Sequence, residues 1–198
     1  MEVSWDSLHA QIAACQQCEL CRQIHNKVPG QGDGSADLMF IGEGPGADED
    51  LQGPAFVGAA GQLLTKMIAA IGYTREQVYI CNVVKCRPPH NRTPEPQEAA
   101  ACLPFLRAQF SLVRPRVIVL LGATAARAVL GDQIRITRDR GQWVEKKGVW
   151  FMPTYHPAAL LRDVSKKRDA WHDLQMVQAK LKELQGPPAS PNQQGGAS

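Results

Sequence analysis

Short, compact apolar runs, Asp37–Ile41, Val78–Val84 and Val117–Leu121, alternate along this chain with longer segments of helical periodicity. A strand covered on both faces reads as a continuous aliphatic run, not as an apolar/polar alternation. The helical segments are residues 5–14, Gly58–Ile71 closed by Gly72, Pro94–Leu112 stopping before Pro115, Ala123–Leu130 and Lys166–Leu184. Trp143–Glu145 and Val149–Pro153 read as strands around a turn at Lys147-Gly148. Strands that alternate with helices predict a parallel sheet with helices on both faces, an α/β/α sandwich. Ligands bind such sheets at the C-terminal ends of the strands. Gly42–Gly46, Asn82–Lys85 and Thr154–His156 are therefore expected to meet at one site. Val28–Ser35 reads as a loop, and Gly186–Ser198 as a disordered tail made of Gly, Pro, Ala, Ser, Asn and Gln. The organisation expected is one domain over 1–185 with a tail over 186–198, without internal repeats.

Cysteines supply the second constraint. Cys15 and Cys18 form a C-x2-C near the N-terminus, and Cys86 and Cys102 follow on either side of a proline-rich stretch and a helix start. Thiolates are soft ligands, and four of them complete the coordination of an iron–sulfur cluster or a structural zinc. Spacing alone leaves open that these are unrelated buried thiols, because free cysteine packs as a small hydrophobe. Cys21 extends the pattern to C-x2-C-x2-C and is an alternative ligand, whereas Cys81 lies inside an apolar strand and reads as core.

A length of 198 residues buries a full core without covalent staples, and 44% hydrophobic with 21% charged residues is an ordinary globular balance. No apolar run approaches a membrane span and the N-terminus lacks a secretory pattern, so a reducing, cytoplasmic setting is expected, where clustered cysteines read as metal sites before disulfides. The net charge of +3 does not by itself establish nucleic-acid binding. Its distribution says more: basic residues from Arg135 to Arg168 crowd the last third, and Glu43, Asp48, Glu49 and Asp50 concentrate the acids in one loop.

That loop, Gly42-Glu43-Gly44-Pro45-Gly46 followed by Ala47-Asp48-Glu49-Asp50, is a tight turn with four carboxylates. It lacks the phosphate-binding lysine of a nucleotide hydrolase, and its acids suit a water or a cation better than a phosphate. Asn82, at the end of a buried strand, can offer a donor and an acceptor to a planar polar ligand. His156 precedes Pro157 and is thereby held in an extended backbone. Phe56 is either core or a stacking platform for a base.

Together GEGPG-ADED, GPAFVG, NVVKCRPPHNRTP, LG-ATAA and TYHPAALLR, in this order and with the cysteines at fitting positions, closely resemble the family 4, iron–sulfur uracil-DNA glycosylases over about residues 8–178. The resemblance implies a three-layer α/β/α sandwich around a central four-stranded parallel sheet. It implies a monofunctional DNA-repair hydrolase that flips uracil out of DNA and cleaves its N-glycosidic bond, leaving an abasic site. Cys15, Cys18, Cys86 and Cys102 match the ligands of a [4Fe–4S] cluster, whose role would be to hold Arg87–Pro94 against DNA. Glu43, Gly44, Glu49, Phe56, Asn82 and His156 match the pocket positions. His156 would donate to uracil O2, Asn82 would read the N3–H and O4 edge, and Phe56 would stack on the base. Glu49, ahead of Glu43, would position water. Leu160 would wedge into the duplex, with Arg162, Arg87 and Arg92 on DNA phosphates. The expected partner is uracil-containing DNA, single- or double-stranded, bound by a monomer without any membrane. Two other readings stand beside this one. One is covalent trapping of uracil-DNA, with His90 as the nucleophile; the other is a non-catalytic Fe–S DNA-binding module.

Overall fold

The computed structural model describes residues 4–186. The chain begins with helix α1 (Trp5–Ala14), capped by Ser4, and runs through the C-x2-C into a single 3-10 turn. Then come strands β1 (Gln31–Gly32) and β2 (Leu38–Gly42), helices α2 (Ala47–Gln52) and α3 (Ala59–Ala70), and strand β3 (Tyr79–Asn82). Helix α4 (Pro96–Val113), strand β4 (Val117–Leu121) and helices α5 (Ala123–Leu130) and α6 (Ile136–Asp139) follow. The fold closes with β5 (Val144–Lys146), β6 (Val149–Thr154), α7 (Pro157–Arg162) and α8 (Lys167–Gln185).

The sheet is mixed and six-stranded, in the order β1-β3-β2-β4-β6-β5. Its inner strands β3, β2, β4 and β6 pair in parallel, and β1 and β5 add antiparallel edges. The four-stranded count expected from the sequence therefore omits two short edges. β1 was read as loop because two residues carry no periodicity, and β5 is the outer half of the hairpin read from the sequence. The tail expected over Gly186–Ser198 lies, apart from Gly186, outside the described residues.

Side chains of each inner strand alternate between two cores, as the period of a strand requires. Met39, Ile41, Tyr79, Cys81, Ile118 and Leu120 face α1, α4 and α5. Leu38, Phe40, Ile80, Val117 and Val119 face α3 and α8. Burial on both faces explains why β2 and β4 have no exposed residue and no polar alternation. The parallel register sets Gly42 beside Asn82 and Leu121 beside Thr154. All four inner strands thus end on one edge of the sheet, and their following loops are delivered to the same place.

Candidate active site

A cavity of about 550 Å3 opens at that edge. Glu43 and Gly44 after β2, Asn82 at the end of β3, Gly122 and Thr124 after β4, and His156 after β6 line it together with Glu49 and Phe56. The three strand-end loops expected from the sequence do meet, and the β4–α5 turn joins them as a fourth.

Gly42 makes the pocket floor possible. A Cβ on this residue would fall 2.5 Å from Phe56 Cζ and would strike the Asn82 amide oxygen. Phe56 itself is 6% exposed and has φ +54°, a left-handed conformation uncommon for a bulky residue. Arg75 holds it there: its guanidinium donates to the carbonyls of Ala55 (2.6 Å) and Phe56 (3.0 Å) and to Thr65 Oγ1 (3.1 Å). The ring lies 5.7 Å from the imidazole of His156, tilted by 31°.

His156 is the N-cap of α7, and its Nδ1 accepts from the Ala158 amide at 3.1 Å. Burial, reinforced by the Arg162 guanidinium, lowers its pKa from 6.5 to about 4. The ring is therefore neutral at physiological pH, with Nδ1 as the acceptor, so the proton sits on Nε2. Asn82 is 1% exposed, and its Oδ1 is a buried oxygen that no donor among the described residues satisfies. An orphaned buried acceptor costs about 1–3 kcal/mol until a ligand donates to it.

The carboxylates of the glycine-rich loop do not converge. α2 forms across them, with acidic residues in its first turn. Glu49 accepts from the amides of Gly46 (3.0 Å), Val57 (2.8 Å) and Gly58 (2.8 Å), tying the start of α2 to the start of α3. Asp50 is buried beneath the His25–Asn26 segment, where His25 Nδ1 lies 2.9 Å from its Oδ2 and the His25 amide donates to its Oδ1 at 2.9 Å. Glu43 lines the cavity and accepts from Thr124 Oγ1.

Two of the residues expected on DNA are placed otherwise. Leu160 is 2% exposed and packs in the core under α7, because that helical turn directs it inward; Leu161, 46% exposed, takes the outward position. Arg92 lines the cavity but forks onto the buried Glu98 at 2.7 and 2.8 Å, so it anchors its loop. Arg87 bonds Asn91 Oδ1 at 2.7 Å and stands outside the cavity lining, whereas Arg162 and the unforeseen Arg127 are on it. His90 is exposed at the loop tip and does not line the cavity.

The cysteines gather on the opposite side of β3 from Phe56. Cys15, Cys18, Cys21, Cys86 and Cys102 line one small cavity, and Cys81 is fully buried in the core packed beside it. Among the described residues no three metal-binding side chains converge as a ready cage for a single ion. Burial first, and then proximity to Cys102 and Cys18, pushes the Cys86 thiol up to about 12. Two buried thiols, Cys86 and Cys102, and three half-buried ones on one cavity are a set of soft donors whose chemistry suits a thiolate-bound metal group.

The sequence model of the uracil DNA glycosylase superfamily matches residues 29–175. A type-4 uracil-DNA glycosylase of Thermotoga maritima is 45% identical over 177 residues, spanning 86% of this chain and 91% of the relative. The chain belongs to the type-4 uracil-DNA glycosylases. The enzyme of that name from Archaeoglobus fulgidus is 46% identical over 166 residues, or 80% of this chain and 83% of the relative. A type-5 uracil-DNA glycosylase of Pyrobaculum aerophilum is more distant, at 35% over 150 residues, 67% of this chain and 66% of the relative. No described helix is long and apolar enough to cross a membrane.

Sequence reasoning missed Arg75, Thr124 and Arg127. Thr124 lay inside the LG-ATAA block and, like Arg127, on the helix directly after a buried strand, but no site role was read for either. Arg75 had no signal, since its partners Ala55 and Phe56 are 20 and 19 residues away.

Proposed function

We propose that this protein hydrolyses the N-glycosidic bond of deoxyuridine flipped out of DNA, releasing uracil and leaving an abasic site. The unsatisfied Asn82 Oδ1 carries the reading. Uracil presents an N3–H donor and an O4 acceptor, which complement the Oδ1 and Nδ2 of one amide. Cytosine presents the reverse polarity on that edge, so binding it would leave buried groups unpaired.

The base stacks on Phe56 and accepts at O2 from His156 Nε2–H. As the C1′–N1 bond breaks, the electron pair goes to uracil N1 and spreads onto O2, while the sugar becomes cationic. A fixed donor in a dry pocket stabilises that developing charge most where it costs no reorganisation. Glu43, held by Thr124, positions the water that adds to C1′ and stabilises the cationic sugar; the proton lost by that water balances the protonation of uracil. Glu49 shapes the pocket wall, as its oxygens are already engaged by three amides. No lysine lines the cavity among the described residues, which favours hydrolysis over an imine route and a monofunctional enzyme. Arg162 and Arg127 meet the phosphates. The exposed His90 gives covalent trapping no nucleophile in the pocket.

Cys15, Cys18, Cys86 and Cys102 would hold a [4Fe–4S] cluster, with Cys21 left as a free thiol beside them. When bound, the cluster supplies a rigid link between the N-terminal arm and the Arg87–Pro94 loop, with no redox part in the cleavage. The enzyme acts as a monomer on DNA.

Release of free uracil, read by chromatography from uracil, cytosine and thymine oligonucleotides, tests the assignment. Wild type should release uracil alone, and Asn82→Ala should lose roughly 100-fold or more as the edge contacts vanish. Equal release by Asn82→Ala would remove the amide from recognition.

A further inference from the structure

The imidazole of His156 makes one hydrogen bond, to the amide of Ala158 two residues on, and no side chain of another element bonds it among the described residues. In many catalytic histidines the second ring nitrogen is fixed by a carboxylate or a carbonyl. Here Nδ1 faces its own helix, so the aim of Nε2 is set by the main chain that enters α7. That main chain is Thr154-Tyr155-His156, and it leads to a buried carboxylate that the excision chemistry does not use. Asp173 on α8 is 0% exposed, while the other buried residues of that helix, Ala170, Leu174, Val177 and Leu181, are all apolar.

Three elements meet on this carboxylate. Thr154, the last residue of β6, donates from Oγ1 to Oδ2 at 2.6 Å. Arg140, just past α6, forks onto it, with Nη2 donating to Oδ1 at 2.5 Å and Nε to Oδ2 at 3.0 Å, and Nη2 also reaches the Asp169 carbonyl at 2.9 Å. Gly141 lets the loop come this close: a Cβ there would fall 2.6 Å from Asp173 Oδ1, and its amide donates to the Pro153 carbonyl at 3.0 Å. The same Arg140 guanidinium lies 5.6 Å from the centre of the Tyr155 ring, and the Lys166 ammonium lies 5.5 Å from it. Each of the three residues before His156 is thereby held by Asp173, Arg140 or Gly141. The Thr154 carbonyl in turn accepts from the Gly122 amide at 2.9 Å, and a Cβ on Gly122 would lie only 3.1 Å from His156 Cβ. A buried ion pair is a poor source of stability beside apolar packing of the same volume. What it adds here is direction, because hydrogen bonds fix where a strand end points and aliphatic contacts do not.

We propose that Asp173 is a positioning residue for excision: through Thr154 and Arg140 it fixes the strand end from which His156 points Nε2 at uracil O2. The inference rests on the uracil-excision reading. It extends the machinery to a carboxylate that lies outside the cavity lining and touches neither base nor water. Phe56, Asn82 and Glu43 stand on other elements, so loosening this contact leaves the base bound while the donor is misaimed.

The test is single-turnover excision from a labelled uracil oligonucleotide, with Kd for the same strand read by fluorescence anisotropy. Thr154→Val removes the hydroxyl at nearly constant volume. It should lower the excision rate by about 10- to 100-fold, as a donor misplaced by up to about 1 Å does, and leave Kd within about threefold. Thr154→Ser keeps the hydroxyl and should hold the rate within about threefold of wild type. The deciding comparison is a double-mutant cycle. In the His156→Asn background Thr154→Val should cost less than about threefold, because the donor it aims is already gone. A loss of equal size in both backgrounds, or one expressed only in Kd, marks a purely structural contact and overturns the positioning role. A Thr154→Val rate equal to that of wild type overturns it too. Asp173→Asn keeps the volume but weakens the Arg140 fork; it should show the same loss and the same non-additivity, and it serves if Thr154→Val fails to fold. Wild type that releases no uracil overturns the excision reading itself, so the two failures are told apart.

Discussion

Replacing His156 with asparagine separates two jobs that one imidazole performs. Nδ1 caps α7 by accepting from the Ala158 amide at 3.1 Å, and Nε2–H is the donor assigned to uracil O2. Asparagine is among the best N-cap residues and keeps an acceptor for that amide, so α7 should hold. Its side chain is too short to reach the base as a donor. Loss of one preorganised donor to a developing oxyanion costs about 100- to 1,000-fold in rate, or roughly 3–4 kcal/mol. Because the charge on O2 develops only as the glycosidic bond breaks, kcat should carry the loss and substrate binding should hardly change. Single-turnover excision of a labelled uracil oligonucleotide gives the chemical rate, and fluorescence anisotropy with the same strand gives Kd. His156→Ala should show the same kinetic loss plus about 1 kcal/mol of lost stability from the missing cap. Asparagine turnover within threefold of wild type, or a loss expressed wholly in Kd, would refute the donor role.

The other expectations concern the carboxylates, the leucines and pH. Glu49→Gln turns an acceptor of three amides into a side chain with one acceptor oxygen, so melting temperature should fall, whereas Glu43→Gln should leave melting unchanged and reduce kcat by about 10- to 100-fold; the reverse pattern in paired melts and kinetics would exchange their roles. Leu160→Ala should cost about 2–5 kcal/mol of unfolding free energy, as for other buried leucines, while Leu161→Ala should leave stability within about 0.5 kcal/mol. Denaturant titration decides between them, and a stable Leu160→Ala protein would contradict the inward packing. His156 also predicts a pH dependence of stability. Its folded pKa, about 4, lies below the unfolded 6.5, so the unfolded chain takes up the proton first. Stability is then lost as pH falls from 6.5 towards 4, by roughly 3 kcal/mol in all, and this contribution levels off below. Melts of wild type and His156→Asn across that window should differ in slope, and parallel curves would show that the imidazole is not buried neutral.

How much of this was legible in the sequence depended on whether the determinant was local. The inner strands β2, β3 and β4 were readable because burial on both faces writes itself as an unbroken aliphatic run. The pocket at their ends followed from parallel topology, and Asn82 and His156 could be placed on it by their positions after strands. α2 and α7 were not read. Each is six residues long, too short for a hydrophobic period, and their signs were the acidic first turn after Gly46 and the proline at the first turn after His156. Choosing Leu160 over Leu161 required the direction of a helical turn that the linear sequence does not print. Glu49 looked like a free catalytic carboxylate until the amides of Val57 and Gly58, eight and nine residues away, were seen to occupy it. Arg75 and Asp173 were invisible as site residues for the same reason: their partners include Phe56, 19 residues away, and Arg140, 33 residues away. The cysteine spacing suggested a shared site, and the fold draws Cys15, Cys18, Cys86 and Cys102 to one cavity, with Cys21 on the same wall.

The most direct measurement is a denaturing gel of a labelled oligonucleotide holding a single uracil, incubated with anaerobically purified protein and split before and after hot alkali. Strand breaks that appear only with alkali, only for uracil and not for a thymine control, are the result the account predicts. A protein–DNA band that survives denaturation, or intact strands from protein that retains its cluster, would contradict it.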